Sequence, residues 1–352
     1  LTFYQELQLN QAGSKGIIRN SESRREKLYH IGVYLTKIAI TLLFCFAFVA
    51  GYSTLFGSDN SVVGVVVLLC LMVFRNSDFG VNAKESIGVL GVFFLILIIG
   101  PHAANQTGAS AGLGINIVSL LAMMLLGCHN PLMSNQSTIV LGYLLLYGYD
   151  VTGNSYRFRI IGLAVGCILT TIVFYRNHAD RTYKRRLKDV LAEFRMDSLR
   201  SRWQICLVLC VPVVIFISEI CHLPRAMWAG IAAMSAIVPF MSDMKVRVRD
   251  RIIGNIAGGI CFLLLYFLLP SSIYTYIGII GGIGVGFSVK YGWQAVFNTF
   301  GALAIATETF GLKEAIHLRI FQNVFGVIFA LVFCALFNLI LEKWQDSRKI
   351  CC

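Results

Sequence analysis

Residues 64–88, GVVVLLCLMVFRNSDFGVNAKESIG, and residues 230–254, GIAAMSAIVPFMSDMKVRVRDRIIG, align without a gap. Both open on glycine, reach Phe74 or Phe240 ten residues on, pass a polar loop and close on Ile87-Gly88 or Ile253-Gly254. Two more matches follow in the same order. Gln136, Asp150 and Gly153 have the spacing of Gln294, Glu308 and Gly311, and Arg159-Ile160 with Gly166 returns as Arg319-Ile320 with Gly326. Three ordered matches at offsets of 166, 158 and 160 residues indicate an internal duplication.

Each copy is built of apolar stretches. Twelve runs lie near 32–54, 61–75, 86–103, 111–128, 136–149, 158–175, 203–221, 226–242, 252–269, 273–289, 292–308 and 317–341. The chain is 57% hydrophobic and 14% charged, with a mean hydropathy of +0.72, where a soluble domain is about one-quarter charged. These numbers imply an all-α polytopic membrane protein of about 12 transmembrane helices. Six runs per copy bring both copies in from the same membrane face. They are therefore parallel six-helix repeats about an axis along the membrane normal, as in some secondary transporters. The organisation expected is a cytoplasmic segment 1–31, a first repeat 32–175, a basic linker 176–202, a second repeat 203–341 and a tail 342–352. No stretch is long and polar enough for a sizeable soluble catalytic domain or a nucleotide-driven motor.

The net charge of +12 gains meaning from its placement. Of 30 Lys and Arg, 24 fall in the N-terminal segment, the even-numbered loops and the tail, and five in the odd-numbered loops. Positive loops face the cytoplasm, so both termini are expected inside a cell (plasma or inner) membrane. The basic residues then meet anionic lipid headgroups, and no nucleic-acid motif accompanies them. In the linker, Leu187, Val190, Leu191 and Phe194 share one helical face among charges, which predicts an amphipathic helix.

Enzyme signatures are absent: there is no GxxxxGK[ST], HExxH or GxSxG. No CxxC occurs among the 11 cysteines, so neither metal nor redox spacing is present and no cofactor is implied. Most cysteines sit in apolar runs as small hydrophobes, and Cys351-Cys352 is not a CaaX box. The polar first twenty-eight residues show no cleavable signal peptide. The GxxxG spacings at Gly162/Gly166, Gly254/Gly258 and Gly278/Gly282/Gly286 suit close helix packing in lipid.

Ionisable residues within spans are costly and mark function. Asp150 and Glu308 occupy matching outer span ends, followed by Arg159 and Arg319. A partly desolvated carboxylate exchanges protons, and an arginine fork suits a substrate carboxylate. Proton coupling is therefore assigned to Asp150 and Glu308, and anion binding to Arg159, Arg319 and Lys37. An acid–arginine pair that merely pins the loop, and a snorkelling Lys37, are the structural alternatives. Asn298, Gln322 and Asn323 either glue helices or line a path. Trp228, Trp293 and Trp344 near span ends suit an aromatic belt; Trp228 also suits stacking on an aromatic substrate.

Trp228-Ala229-Gly230, Pro239 and Arg251-Ile252-Ile253-Gly254-Asn255-Ile256-Ala257-Gly258 form a pattern that resembles the FUSC superfamily. That group covers fusaric acid resistance proteins, aromatic acid exporters and, more distantly, plant aluminium-activated malate channels. Arg319 and Gly326 echo its second signature, and Gly88, Gly91, Arg159, Gly162 and Gly166 repeat the pattern in the first half. Asn255 departs from the usual Thr, and the large cytoplasmic domains of many members have no counterpart here. The resemblance implies proton-driven export of small organic, often aromatic, carboxylates, with passive anion conduction as an alternative. A lipid-handling protein or scaffold is a third reading. The duplication would let one chain act as a pseudo-dimer, and a homo-oligomer remains an alternative.

Overall fold

The structure is a computed structural model describing residues 2–350, with the side chains of 271, 272, 275 and 344–350 outside the description. Cys351-Cys352 and the Trp344 ring thus lie outside the described residues. The chain is 83% helix, and no strand occurs among the described residues. In lipid, only structures that satisfy their own backbone persist, so a run of apolar stretches folds as helices. In chain order these are α1 Phe3–Leu7, α2 Gln11–Arg19, α3 Arg24–Phe56, α4 Ser61–Phe74, α5 Ala83–Gln106, α6 Ala109–Gly127, α7 Gln136–Gly148 and α8 Gly153–His178. They continue with α9 Leu187–Ala192, α10 Leu199–Ile220, α11 Met227–Ala236, α12 Met241–Leu268, α13 Ile277–Phe287, α14 Tyr291–Phe310 and α15 Leu312–Ile350.

Every predicted apolar run lies on a helix. Seven helices, α3, α5, α6, α8, α10, α12 and α15, are long and apolar enough to cross a membrane. Others are shorter than a crossing requires. At 1.5 Å per residue, α7 rises about 20 Å and α11 about 15 Å, against a hydrocarbon core of about 30 Å. Twelve helices therefore do not amount to twelve full-length spans.

The chain forms two compact units. One comprises residues 1–47 and 249–321, the other 48–248 and 322–352. In the larger unit, α4 packs on α7 and α8, α5 on α6, α7 and α8, and α10 on α6 and α11, with α11 against α7. Val63, Val67, Leu90, Phe94, Met123, Leu144, Leu163 and Leu207 fill its core. Close approach is set by small residues. A Cβ on Gly148 would fall 1.7 Å from Met227 Sδ, and one on Gly326 would fall 2.4 Å from the Ala229 carbonyl oxygen. A disulfide joins Cys206 on α10 to Cys334 on α15. The sequence reading treats both as small hydrophobes; lacking CxxC spacing, their pairing shows only in three dimensions.

In the smaller unit, α12 rides on α14 through Gly254 and Gly258, with Asn255 Oδ1 accepting from Thr299 Oγ1 at 3.0 Å. On α13, Gly281 and Gly284 meet Phe297 and Phe300, whereas Gly282, singled out by the GxxxG spacing, faces open space. The N-terminal segment folds onto α3. Glu6 is buried and pairs with His30 Nδ1 at 2.8 Å, and Asn10 caps α2 through the Gly13 amide at 2.7 Å.

The linker departs from a long amphipathic helix. Between the end of α8 and the start of α10 the α-helix is confined to Leu187–Ala192, with Val190 buried and Leu191 exposed. Charges hold the rest. Arg181 and Tyr183 both donate to Asp78, at 3.0 and 2.7 Å, and the Leu187 amide donates to Glu85 at 2.7 Å. Glu193 accepts from Arg185 and Arg200, at 3.2 and 3.1 Å.

Candidate functional site at the end of helix α7

A helix end leaves backbone carbonyls without intrahelical partners, and at membrane depth no water replaces them. Helix α7 ends at Gly148, and its terminal carbonyls are met by side chains from α8 and α5. Arg159 Nη1 and Nη2 donate to the carbonyls of Leu146 and Tyr149, at 3.5 and 2.7 Å. Asn105 Nδ2 donates to Tyr147 O at 2.9 Å. Arg159 is only 2% exposed. Its Nε donates to Asn60 Oδ1 at 3.1 Å, and Asn60 in turn bonds the carbonyls of Phe56 and Ser155, both at 2.9 Å.

Two carboxylates flank this helix end. Asp150 lies 3.6 Å from Arg159 and 3.0 Å from His102 Nδ1, and the His102 ring stacks on Tyr156 with centroids 3.7 Å apart. On the other side, Glu219 at the end of α10 accepts a hydrogen bond from the Tyr147 hydroxyl. One turn back along α7, Tyr143 donates to Asn116 on α6 at 2.7 Å. Arg225 lies over the Tyr149 ring at 4.8 Å. The loop carrying it is strained: His222 and Arg225 hold left-handed backbone, at φ 53° and 59°, an arrangement typical of functional loops.

Of the residues singled out from sequence, the structure thus brings Asp150 and Arg159 together. Their geometry is that of the loop-pinning pair: the guanidinium is filled by protein acceptors. The matching residues Glu308 and Arg319 lie in different surroundings, Glu308 exposed and Arg319 buried. Gln322 is buried on α15 and caps the Pro224 carbonyl ahead of α11 at 3.0 Å. Asn323 is buried, and Asn298 is exposed on α14. Trp228 is 3% exposed, inside the unit rather than on a belt, because α11 is packed between α10 and α7. Lys37 does not reach for solvent: Nζ donates to Leu9 O and Ser14 Oγ, at 3.1 and 2.5 Å, and fastens the N-terminal helices.

Sequence reasoning missed Glu219, His102 as the partner of Asp150, and Gln204. Glu219 is the only acid in its apolar run (IFISEI), which is the signal that would have found it. Gln204 Nε2 caps the end of α6 through Met124 O and Cys128 O, at 2.9 and 3.0 Å. Trp203 Nε1 likewise donates to Ile237 O beyond α11 at 3.2 Å.

Asn60, His102, Asp150, Glu219 and Arg225 gather at the α7 end. Asp78, Asn135, Arg181 and Tyr183 gather with one another.

Apolar helices long enough to cross a membrane, with buried side chains capping the helix ends between them, describe a multi-pass helical membrane protein. Residues 213–333 match the family described as fusaric acid resistance protein-like, and the matched stretch contains the second-half motif residues Trp228, Pro239, Gly254, Gly258, Arg319 and Gly326. No curated protein matches the chain, and no solved structure does.

Proposed function

We propose that this protein is a secondary transporter exporting small organic or aromatic carboxylate anions in exchange for protons across a cell membrane, with both termini cytoplasmic. The family match supports the transporter class. The observation that carries the proton role is the pair of carboxylates at the end of α7, each held by a group able to pass a proton: Asp150 by His102, and Glu219 by Tyr147. Proton exchange at a carboxylate requires partial desolvation and a partner that stabilises either form. On this reading Asp150 and Glu219 carry the proton, Arg159 positions Asp150, and Arg225 meets the incoming carboxylate at the same mouth. Exposed Glu308 has a lesser role.

Proteoliposomes loaded with a labelled aromatic acid test this. Asp150→Asn with Glu219→Gln should abolish accumulation driven by a pH gradient while leaving counterflow intact. Undiminished pH-driven accumulation would remove the proton role. A passive anion channel predicts ohmic current independent of both carboxylates.

One observation favours a lipid-handling reading. A groove of about 520 Å³ opens between α5 and α6, lined by Leu95, Ile99, Gly100, Ile115, Val118 and Ser119. Its floor at Gly100 and Ser119 touches the Tyr143 ring. Lipid displaced from this groove by the transported acid would join the two readings; transport unaffected by filling the groove at Gly114, where a side chain meets open space (Gly114→Leu), would separate them.

A further inference from the structure

The smaller unit holds a second cavity, of about 660 Å³, between α2 and the turn from α13 into α14. Lys15 and Arg19 reach it from α2, and Lys290 with Trp293 and Phe297 from the start of α14. No carboxylate is among its described lining residues. Asp250, beside Gly292, is engaged by Arg249 at 3.1 Å. Lys15 Nζ spends one hydrogen on Phe287 O at 2.5 Å and keeps two more.

Three cations around one cavity, with no acid to balance them, call for a ligand bearing more than one negative charge. A lone carboxylate leaves two of them uncompensated. A phosphate monoester, near −2 at neutral pH with three acceptor oxygens, matches the donor set. The depth of the cavity also matters. Trp293 is 59% exposed, and an exposed Trp beside Lys and Arg is what a protein places at the headgroup level of a bilayer.

We propose that this cavity binds a phosphate monoester at the membrane surface, held by Lys15, Arg19 and Lys290. The lipid-borne form is phosphatidic acid, the soluble form a compound such as glycerol 3-phosphate. The site shares no residue with the carboxylate chemistry at the end of α7, so the two readings fail separately.

Native mass spectrometry of the full chain against phosphatidic acid and phosphatidylcholine tests the lipid arm, and calorimetry with glycerol 3-phosphate the soluble arm. Phosphatidic acid should be retained over phosphatidylcholine. Near a membrane surface each cation removed should weaken binding about fivefold, and Lys15→Gln, Arg19→Gln, Lys290→Gln together about a hundredfold. The charge-keeping Lys15→Arg, Arg19→Lys, Lys290→Arg variant should bind normally. In the unaltered protein, phosphatidic acid should shield Lys15 and Lys290, but not Lys27, from acetylation. Binding to both ligands assigns recognition to the phosphate alone, and binding to phosphatidic acid alone assigns it to the lipid. Equal retention of both lipids with no glycerol 3-phosphate binding, unchanged binding in the glutamine variant, or unshielded lysines would overturn the proposal.

Discussion

Arg159 separates a structural from a substrate-binding reading of the same buried charge. Replacing it with Met keeps most of the volume and removes the fork. Three protein acceptors, Asn60 Oδ1, Leu146 O and Tyr149 O, lose their donor, and Asp150 loses its closest cation. Breaking a buried pair from one side costs about 3–5 kcal/mol. Asp150 keeps His102 and some solvent, so the lower end applies, about 3 kcal/mol. For a unit of this size that lowers the apparent Tm by roughly 6–12 °C. Thermal unfolding of the purified protein in detergent reads it. Asp150→Asn alone should cost less, and the double variant little more than Arg159→Met, giving a coupling of about 1 kcal/mol or more. Arg159→Lys should fall between, since an ammonium keeps the charge but cannot span Asn60 and Tyr149 together. An Arg159→Met protein with an unchanged midpoint and abolished transport would refute this reasoning and return Arg159 to the substrate.

Other perturbations follow from single contacts. Gly148→Ala drives a methyl into buried Met227 and should cost about 1–3 kcal/mol, partly recovered by Met227→Ala. Gly326→Ala meets the Ala229 backbone instead, so no side-chain truncation there should restore its midpoint. His129, in the α6–α7 connection, is held below its ordinary value near 6.5 by burial first and by Arg200 next. Its unfolded form binds the proton first, so stability should fall as pH drops below about 6.5. His129→Gln should flatten that slope, and an identical slope would exclude His129 as its source. Cys206 and Cys334 should resist alkylation until reductant is added, and Cys206→Ser should cost about 2–4 kcal/mol. Labelling of both without reductant would refute the pairing.

The helices were legible because lipid leaves a chain few options, and an apolar run becomes a helix whatever its neighbours are. The roles of polar residues were not. Arg159, Gln204 and Gln322 each satisfy a carbonyl belonging to another helix end, and such partners are set by tertiary packing rather than spacing. Trp228 looks like a belt residue until α11 proves too short to reach both interfaces and is packed inside. The linker shows the opposite error. Its apolar stripe has helical period, yet Glu193 draws Arg185 and Arg200 around the end of α9 and stops it after six residues. The duplicated acids mislead in a third way, since equal spacing in sequence put Asp150 in a half-buried network and left Glu308 exposed.

These caps constrain any transport cycle at the end of α7. Moving α7 away from α8 would strip two carbonyls of Arg159 at once, at a depth where nothing replaces it, so α7 and α8 must move as one body. The loop 221–226 is under no such constraint: it holds two left-handed residues, and its Arg225 reaches Tyr149 only through a ring face. A proton arriving at Asp150 removes the charge that faces both Arg159 and His102, while Arg159 keeps its backbone acceptors. The helix end then stays capped as the mouth changes charge. On the function proposed above, protonation alters anion affinity there without unfolding the helix that carries it, which is what coupling a proton to an anion requires of a fixed scaffold.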